Sequence, residues 1–356
     1  MELAEQIQQL KDEVQALRKE LQFYKMAATS AYVQPKFNKR GGTYTLNCMK
    51  PKTLNEKVIW LRENYYADCP VTYYYSDKYL FKYLIEKICG KGFTPDLLGV
   101  WNNPANIDFS ALPDKFVLKR TLSGGSYEVK IVDKSTDDLD RVRKIAQWWV
   151  HDKARVPARV IAEKMIEPDS DGFITDYKIY VSRGKVLFCK ILQMKVGSKV
   201  RTQRCVTPEF EFLNVKNNHK IIDREIIKPS NWDEMIAFAV SFSKYFPFMR
   251  VDLYSNGKQF FIGELTDAPQ TGLDPMDADF DKKMGSKLIL PSVEEMSDFN
   301  SRLYEIFPEL KVNPIFLHNN IDVYRLEVNN QIINDVKDLP LPPNDFMQPF
   351  EVNHKV

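Results

Sequence analysis

The stretch MRVDLYSNGKQFFIGELTDAP, residues 249–269, constrains this chain more than any other. It reads as two apolar, aromatic-rich strands joined by a turn at Ser255-Asn256-Gly257. A plain hairpin has no use for Asp252 in its first strand, Glu264 in its second, or Arg250 two residues before the first acid. Side chains alternate along a strand, so Arg250 and Asp252 share a face. Carboxylates on adjacent strands can point the same way. An oxygen-only pair of this kind suits Mg²⁺, which binds through one or two carboxylates plus substrate phosphates. Arg250 beside them can stabilise charge developing near the metal. The plainer reading is a cross-strand ion pair. Such a pair contributes little at a surface, and it is costly among Phe248, Val251, Phe260, Phe261 and Ile262.

Two further stretches carry chemistry. Lys119 ends the apolar run FVLK and precedes Ser123-Gly124-Gly125-Ser126. Glycines let backbone N–H groups approach an anion, and the lysine adds a point charge, so the pair resembles a phosphate cradle. Taken alone it reads as an ordinary glycine-rich hairpin loop, and Lys78 in SDKYLFK as a solvated helix lysine. In RVIAEKMIEP, Glu163 follows three apolar residues of a strand with buried character, and a buried carboxylate needs a partner. One acceptor with nearby backbone groups could read an adenine edge; taken alone, the segment reads better as an edge-strand glutamate facing water. The basic run Lys195, Lys199, Arg201 and Arg204 offers arginine forks that pair with carboxylates, as an acidic sugar would require; a solvated charged loop fits the run as well.

The first segment declares a different task. Leu3, Ile7, Leu10, Val14, Leu17, Leu21 and Tyr24 are spaced 4, 3, 4, 3, 4, 3 with Glu, Gln, Lys and Arg between them. This is a heptad seam; a single amphipathic helix packed on its own domain is the plainer reading, but the strict alternation, with no third apolar position per heptad, favours a coiled coil and a homo-oligomer. The expected organisation is a coiled-coil helix over 1–26 and a linker over 27–53. A helical part follows over 54–112, a nucleotide-binding lobe over 113–175, a catalytic and metal lobe over 176–312, and an extended Pro-rich extension over 313–356. Within these, the reading gives a helix ending at Gly90, a strand–glycine loop–strand over 116–132, a hairpin around Arg183-Gly184, and a helix capped by Asn231. Fifty basic and 48 acidic residues leave a net charge of +2, so no global argument for nucleic acid follows. Five scattered cysteines without CxxC spacing suggest free thiols in a reducing, cytoplasmic compartment. The start lacks the pattern of a signal peptide, and no apolar run reaches membrane-spanning length.

In this order, SDKYLFKYLIEKICG, LPDKFVLKRTLSGG, RVIAEKMIEP, DYKIYVSRGKVLF and FPFMRVDLYSNGKQFFIGELTDAPQTG resemble the ATP-grasp superfamily. In detail they are closest to its TupA-like family, linked to teichuronopeptide and other surface-polysaccharide synthesis. The resemblance covers residues 52 to 290 and implies an α/β ATP-grasp fold of two α+β lobes, here with an N-terminal coiled-coil helix. It implies that Lys78 and Lys119 touch ATP phosphates, that Ser123, Gly124, Gly125 and Ser126 form the loop over them, and that Glu163 binds adenine. Lys164 and the backbone of Met165 complete the hinge. Asp176 stands where a ribose-binding acid is expected, with Lys178 beside it. Asp252 and Glu264 match Mg²⁺ ligands, and Arg250 matches the arginine at the acyl phosphate. Thr266 stands where many relatives have a metal-binding Asn, and RTLSGG replaces an Asn-His before the glycine loop.

The implied reaction is ADP-forming ligation of a carboxylate to an amine, with ATP and Mg²⁺ as cofactors and Arg250 and Lys119 catalytic. By resemblance the carboxylate is a hexuronic acid of a capsule, O-antigen or cell-wall glycan, docked near Lys190, Arg201 and Arg204. The amine is an amino acid or small amino alcohol, and a glycosyltransferase of the same pathway is a potential partner. The alternatives are a glycan kinase using the same cradle and a coiled-coil assembly protein with a dead nucleotide site.

Overall fold

The computed structural model describes residues 2–308, except 70, 124–127, 152–158, 170–171, 196–200, 216–219, 222–224 and 256–258. Gly124, Gly125 and Ser126, the turn residues Asn256 and Gly257, Lys199 and the C-terminal extension therefore lie outside the described residues.

Helix α1 spans Glu2–Lys39, so it continues through much of the segment expected to be a linker. The reason is tertiary. Met26, Val33 and Phe37 recur at helical spacing and are buried against Leu46, Cys48, Ile59 and Leu273. That burial overrides the polar local composition. The chain leaves the helix at Gly41, whose φ of 96° suits glycine. Helix α2 (Leu54–Asn64) starts at a capping box in which the Thr53 hydroxyl and the Glu56 carboxylate each accept from the other's backbone N–H. The short α3 (Thr72–Ser76) leads into α4 (Lys78–Cys89). Asp77 caps α4 by accepting from Tyr79 and Leu80 N–H, and Gly90 ends it at φ 89°.

A strand, β1 (Leu97–Trp101), then stands inside the part expected to be helical, 54–112. It is a short segment whose backbone partner lies far along the chain. It pairs antiparallel with β4 (Val160–Lys164), which pairs with β2 (Lys115–Arg120), itself paired with β3 (Val129–Asp133). The resulting four-stranded sheet packs on α5 (Leu139–His151) through Phe116, Leu118, Val142, Ala146, Trp149, Val160 and Ala162.

The seven-stranded second sheet is built from β5 (Phe173–Ser182), β6 (Lys185–Lys195), β7 (Arg201–Val206), β8 (Phe212–Leu213), β9 (Lys220–Ile221), β10 (Met249–Ser255) and β11 (Phe260–Thr266). Its main path runs β11-β10-β5-β6-β7-β8, with β9 beside β7. Arg183 and Gly184, at φ 47° and 74°, make the tight β5–β6 turn expected of them. Helix α6 (Trp232–Ser241) covers one face, where Trp232 packs on Tyr177. Asn231 holds the cap position without a side-chain cap bond; its Oδ1 accepts from Ser255 instead. Ile179, Val181, Met249, Val251 and Leu253 form the centre of this core. Helices α7 (Ala278–Lys287) and α8 (Val293–Ile306) close the domain. No described helix is long and apolar enough to cross a membrane.

Candidate active site

Strand register assembles one wall of the site. Asp252 of β10 is paired with Glu264 of β11 on one side and Lys178 of β5 on the other, and Lys178 is paired with Lys190 of β6. Arg250 is paired with Thr266 and Tyr180, and Tyr254 with Asp176. Directly opposed residues share a face. These polar side chains therefore project from one side of the sheet, while Val251 and Leu253 fill the core on the other. The alternation puzzling in the sequence is thus a sheet with an apolar back and a charged front.

The contacts on that front are dense. Arg250 grips Asp252 in a bidentate fork, Nε to Oδ1 at 2.6 Å and Nη2 to Oδ2 at 2.7 Å. Its Nη2 also donates to the Thr266 hydroxyl at 3.0 Å and lies 3.5 Å from Glu264 Oε2. Lys178 bridges Asp252 and Asp176, the latter at 2.7 Å. Burial opposes the charge on Asp252, but Arg250 and Lys178 prevail and hold its carboxyl below the usual range. Burial also works to discharge Lys178, and Asp176 and Asp252 outweigh it, so its pKa is raised. Asp176 goes the other way: burial pushes it up despite Lys178. Asp176 Oδ1 is buried with no hydrogen-bond partner among the described residues.

The opposite wall comes from the four-stranded sheet and α4. Glu163 is buried between Lys82, 2.7 Å away, and Lys119. Burial alone would raise its pKa; the two lysines overcome that and bring it down to about 2. Lys82 also donates to the Pro95 carbonyl at 2.6 Å. Lys78 Nζ donates to Ser123 at its carbonyl, 2.7 Å, and its hydroxyl, 3.0 Å, so the first α4 lysine is tied to the entrance of the glycine loop. Between the walls is a cleft bordered by Lys78, Lys119, Glu163, Ile166, Tyr254 and Gly263. The Tyr254 ring lies so close to Gly263 that a Cβ there would come within 2.4 Å of it. The cavity measures about 20 Å³, the room of a water molecule.

The other expected site residues are placed as follows. Lys164 points away from the cleft to an exposed pairing with Asp96 at 3.6 Å, and Met165 follows the end of β4. Lys190 stands on the charged front, buried, paired with Asp274 and 5.8 Å from the centre of the Tyr180 ring. Arg204 is paired with Ile191, one residue out of phase with Lys190, which puts it on the opposite face; its guanidinium lies over Phe212 at 5.7 Å. Arg201 begins β7 opposite Met194. Lys82, Tyr254 and Asp274 join the constellation without having been singled out. Lys82 had a readable signal: it is four residues after Lys78 on one helix, hence on the same face. Tyr254 and Asp274 are ordinary residues until the sheet is assembled.

The family model described as TupA-like ATPgrasp matches residues 56–289. The chain belongs to the TupA-like ATP-grasp family. No curated protein sequence matches it. Among solved structures, D-alanine–D-alanine ligase from Helicobacter pylori aligns at 14% identity and TM-score 0.38, covering 62% of this chain and 60% of that one. The ADP complex of N5-carboxyaminoimidazole ribonucleotide synthetase aligns at 15% identity and TM-score 0.41, covering 60% of this chain and 51% of the other. D-cycloserine synthetase aligns at 13% and 0.35, covering 66% and 71%. The chain thus spans about 60% of the length of the first of these.

The TupA-like chain has a donor set that suits a magnesium ion arriving with phosphates. Asp252 and Glu264 are adjacent carboxylates, Thr266 adds a hydroxyl, and the Glu264 side chain is 49% exposed and able to turn. Among the described residues no group of three or more Asp, Glu, His or Cys gathers as a dedicated metal cage.

Proposed function

We propose that this TupA-like ATP-grasp protein is an ADP-forming carboxylate–amine ligase working through an acyl phosphate. The observation that carries the reading is the arrangement of Arg250, Asp252 and Glu264 on one wall and Lys78 and Lys119 on the other. Lys78, Lys119 and the glycine loop hold the ATP phosphates. The unpartnered Asp176 Oδ1 is an acceptor suited to a ribose hydroxyl. Both Glu163 oxygens are engaged by lysines, so Glu163 orients Lys119 and Lys82 while its strand, with the Met165 backbone, flanks the base. Asp252 and Glu264 are the residues to hold Mg²⁺, which when bound neutralises phosphate charge.

In the first step the acceptor carboxylate oxygen bonds to the γ-phosphorus and the bond to the β,γ-bridging oxygen breaks, releasing ADP. Arg250, oriented by its fork to Asp252, stabilises charge on the transferring group. In the second step an amine bonds to the acyl carbon, inorganic phosphate leaves, and the nitrogen gives up a proton. The proposed carboxylate is a hexuronic acid of a capsule, O-antigen or cell-wall glycan. Lys190, on the charged front and paired with Asp274, is the residue proposed to receive it by exchange with that carboxylate. The amine is an amino acid or small amino alcohol.

The test uses hydroxylamine, which traps a mixed anhydride and leaves a phosphate ester intact. The full chain, given ATP, Mg²⁺ and each of a panel of uronic-acid glycans without amine, is expected to yield a hydroxamate and ADP with the competent acceptor. A stable phosphorylated glycan without hydroxamate would replace the ligase with a kinase.

A further inference from the structure

Helix α1 carries two stripes on different sides. The stripe through Met26, Val33 and Phe37 is buried on the body of its own chain. The seam Leu3, Ile7, Leu10, Val14, Leu17, Leu21 and Tyr24 is between 45% and 70% exposed, seven large apolar residues facing nothing described. Written as heptads, Ile7, Val14 and Leu21 hold the a positions and Leu3, Leu10, Leu17 and Tyr24 the d positions. Met26 and Val33 then fall on f, the side opposite the seam. The body therefore anchors the helix without using its seam, and Gln22, donating to Asn64 at 3.2 Å, marks where the two meet.

The flanking charges say what covers the seam. The g positions are Gln6, Glu13 and Glu20, and the e positions Lys11, Arg18 and Lys25. In a parallel, in-register pair each g faces the e five residues later on the other helix. That sets Gln6 against Lys11, Glu13 against Arg18 and Glu20 against Lys25. In an antiparallel pair g meets g and e meets e, so acids oppose acids and bases oppose bases. β-Branched residues at two of the three a positions, with Leu at d, favour two strands. Lys25 already donates to the Glu63 carbonyl of its own chain, so the cleanest complementary pair is Glu13 with Arg18. Three heptads are short for a coiled coil between free peptides. Here the far end of the helix is held by the body, which presents the seam already ordered.

We propose that the exposed seam of α1 is covered by the same seam of a second copy, in a parallel, in-register two-stranded coiled coil. The occupant is fixed by self-complementarity: one surface supplies both the acid and the base of the Glu13–Arg18 and Glu20–Lys25 pairs. The result is an isologous dimer with both bodies at the same end of the coil.

Sedimentation equilibrium of the full chain over a wide concentration range is expected to give twice the 41.5 kDa chain mass. Leu10→Glu with Leu17→Glu is expected to give the single-chain mass with an unchanged melting temperature of the body, because both positions are solvent-facing in one copy. Glu13→Lys and Arg18→Glu are each expected to weaken self-association, and an equal mixture of the two variants to recover it. Leu3→Cys is expected to cross-link to itself under mild oxidation beyond the level of the unsubstituted chain. A single-chain mass at every concentration overturns the proposal. A trimer or tetramer overturns it too. So does cross-linking of Leu3→Cys only with Tyr24→Cys, the antiparallel signature.

Discussion

The two walls of the cleft differ in sign. The four-stranded wall and α4 bring Lys78, Lys82 and Lys119 around one acid, Glu163. The seven-stranded wall brings Asp176, Asp252 and Glu264 around two cations, Lys178 and Arg250. The first has charge to spare for an anion and the second for a cation. A triphosphate that travels with a divalent ion is complementary to both at once, and either wall alone would bind only half of it. Burial divides the acids differently: Asp252 and Glu163, one on each wall, are buried and doubly paired, whereas Glu264, beside Asp252, is half in solvent.

That contrast orders the expected effects. Arg250→Ala leaves Asp252 buried with Lys178 as its remaining partner, and breaking a buried pair in this way costs about 3–5 kcal/mol. Turnover is expected to fall by about 10²–10³ as well, through lost charge stabilisation. Urea unfolding and ADP release read the two effects separately. A variant as stable as the wild type would show that the fork on Asp252 carries no net energy.

Glu163→Gln tests the positive wall. It keeps the side-chain shape and leaves Lys82 and Lys119 without their shared anion, at an expected cost of about 1–3 kcal/mol at neutral pH. The pH dependence has a definite sign. The Glu163 pKa is about 2 in the folded chain against an ordinary 4.5, so its contribution is complete above 4.5 and is lost as pH falls toward 2. The stability gap between wild type and Glu163→Gln should narrow across that window. A gap that stays constant would mean the carboxylate is not held ionised by the lysines.

Glu264→Gln is expected to have the smallest effect on stability, within about 0.5 kcal/mol, because the side chain is half exposed. Calorimetry should still show ATP binding, while ADP release in Mg²⁺ falls to near background. Full activity in this variant would remove Glu264 from the proposed metal site and leave Asp252 to act alone.

Much of the site was legible before the fold. Period-two alternation put Arg250 and Asp252 on one face, and the hairpin placed Glu264 within reach of Asp252. A lysine before a glycine loop marked the side proposed to hold phosphates. What stayed hidden was hidden for a reason. Glu163 in isolation reads better as a solvent-facing edge residue; it becomes a buried anion only because α4 delivers Lys82 and β2 delivers Lys119. Arg204 shares a basic run with its neighbours, yet strand pairing turns it to the face away from Lys190.

Local chemistry by itself determined the helix caps at Thr53, Asp77 and Gly90, the Arg183-Gly184 turn, the heptad seam of α1 and the order of motifs that marks the family. These depend on contacts a few residues apart or on a repeat that reads itself. Tertiary structure alone decided that α1 would run on to Lys39, that Leu97–Trp101 would be a strand, and which acid would sit beside which base. A strand edge and a buried charge are both stable only when a distant segment arrives to satisfy them, and the identity of that segment is not written in the residues it satisfies.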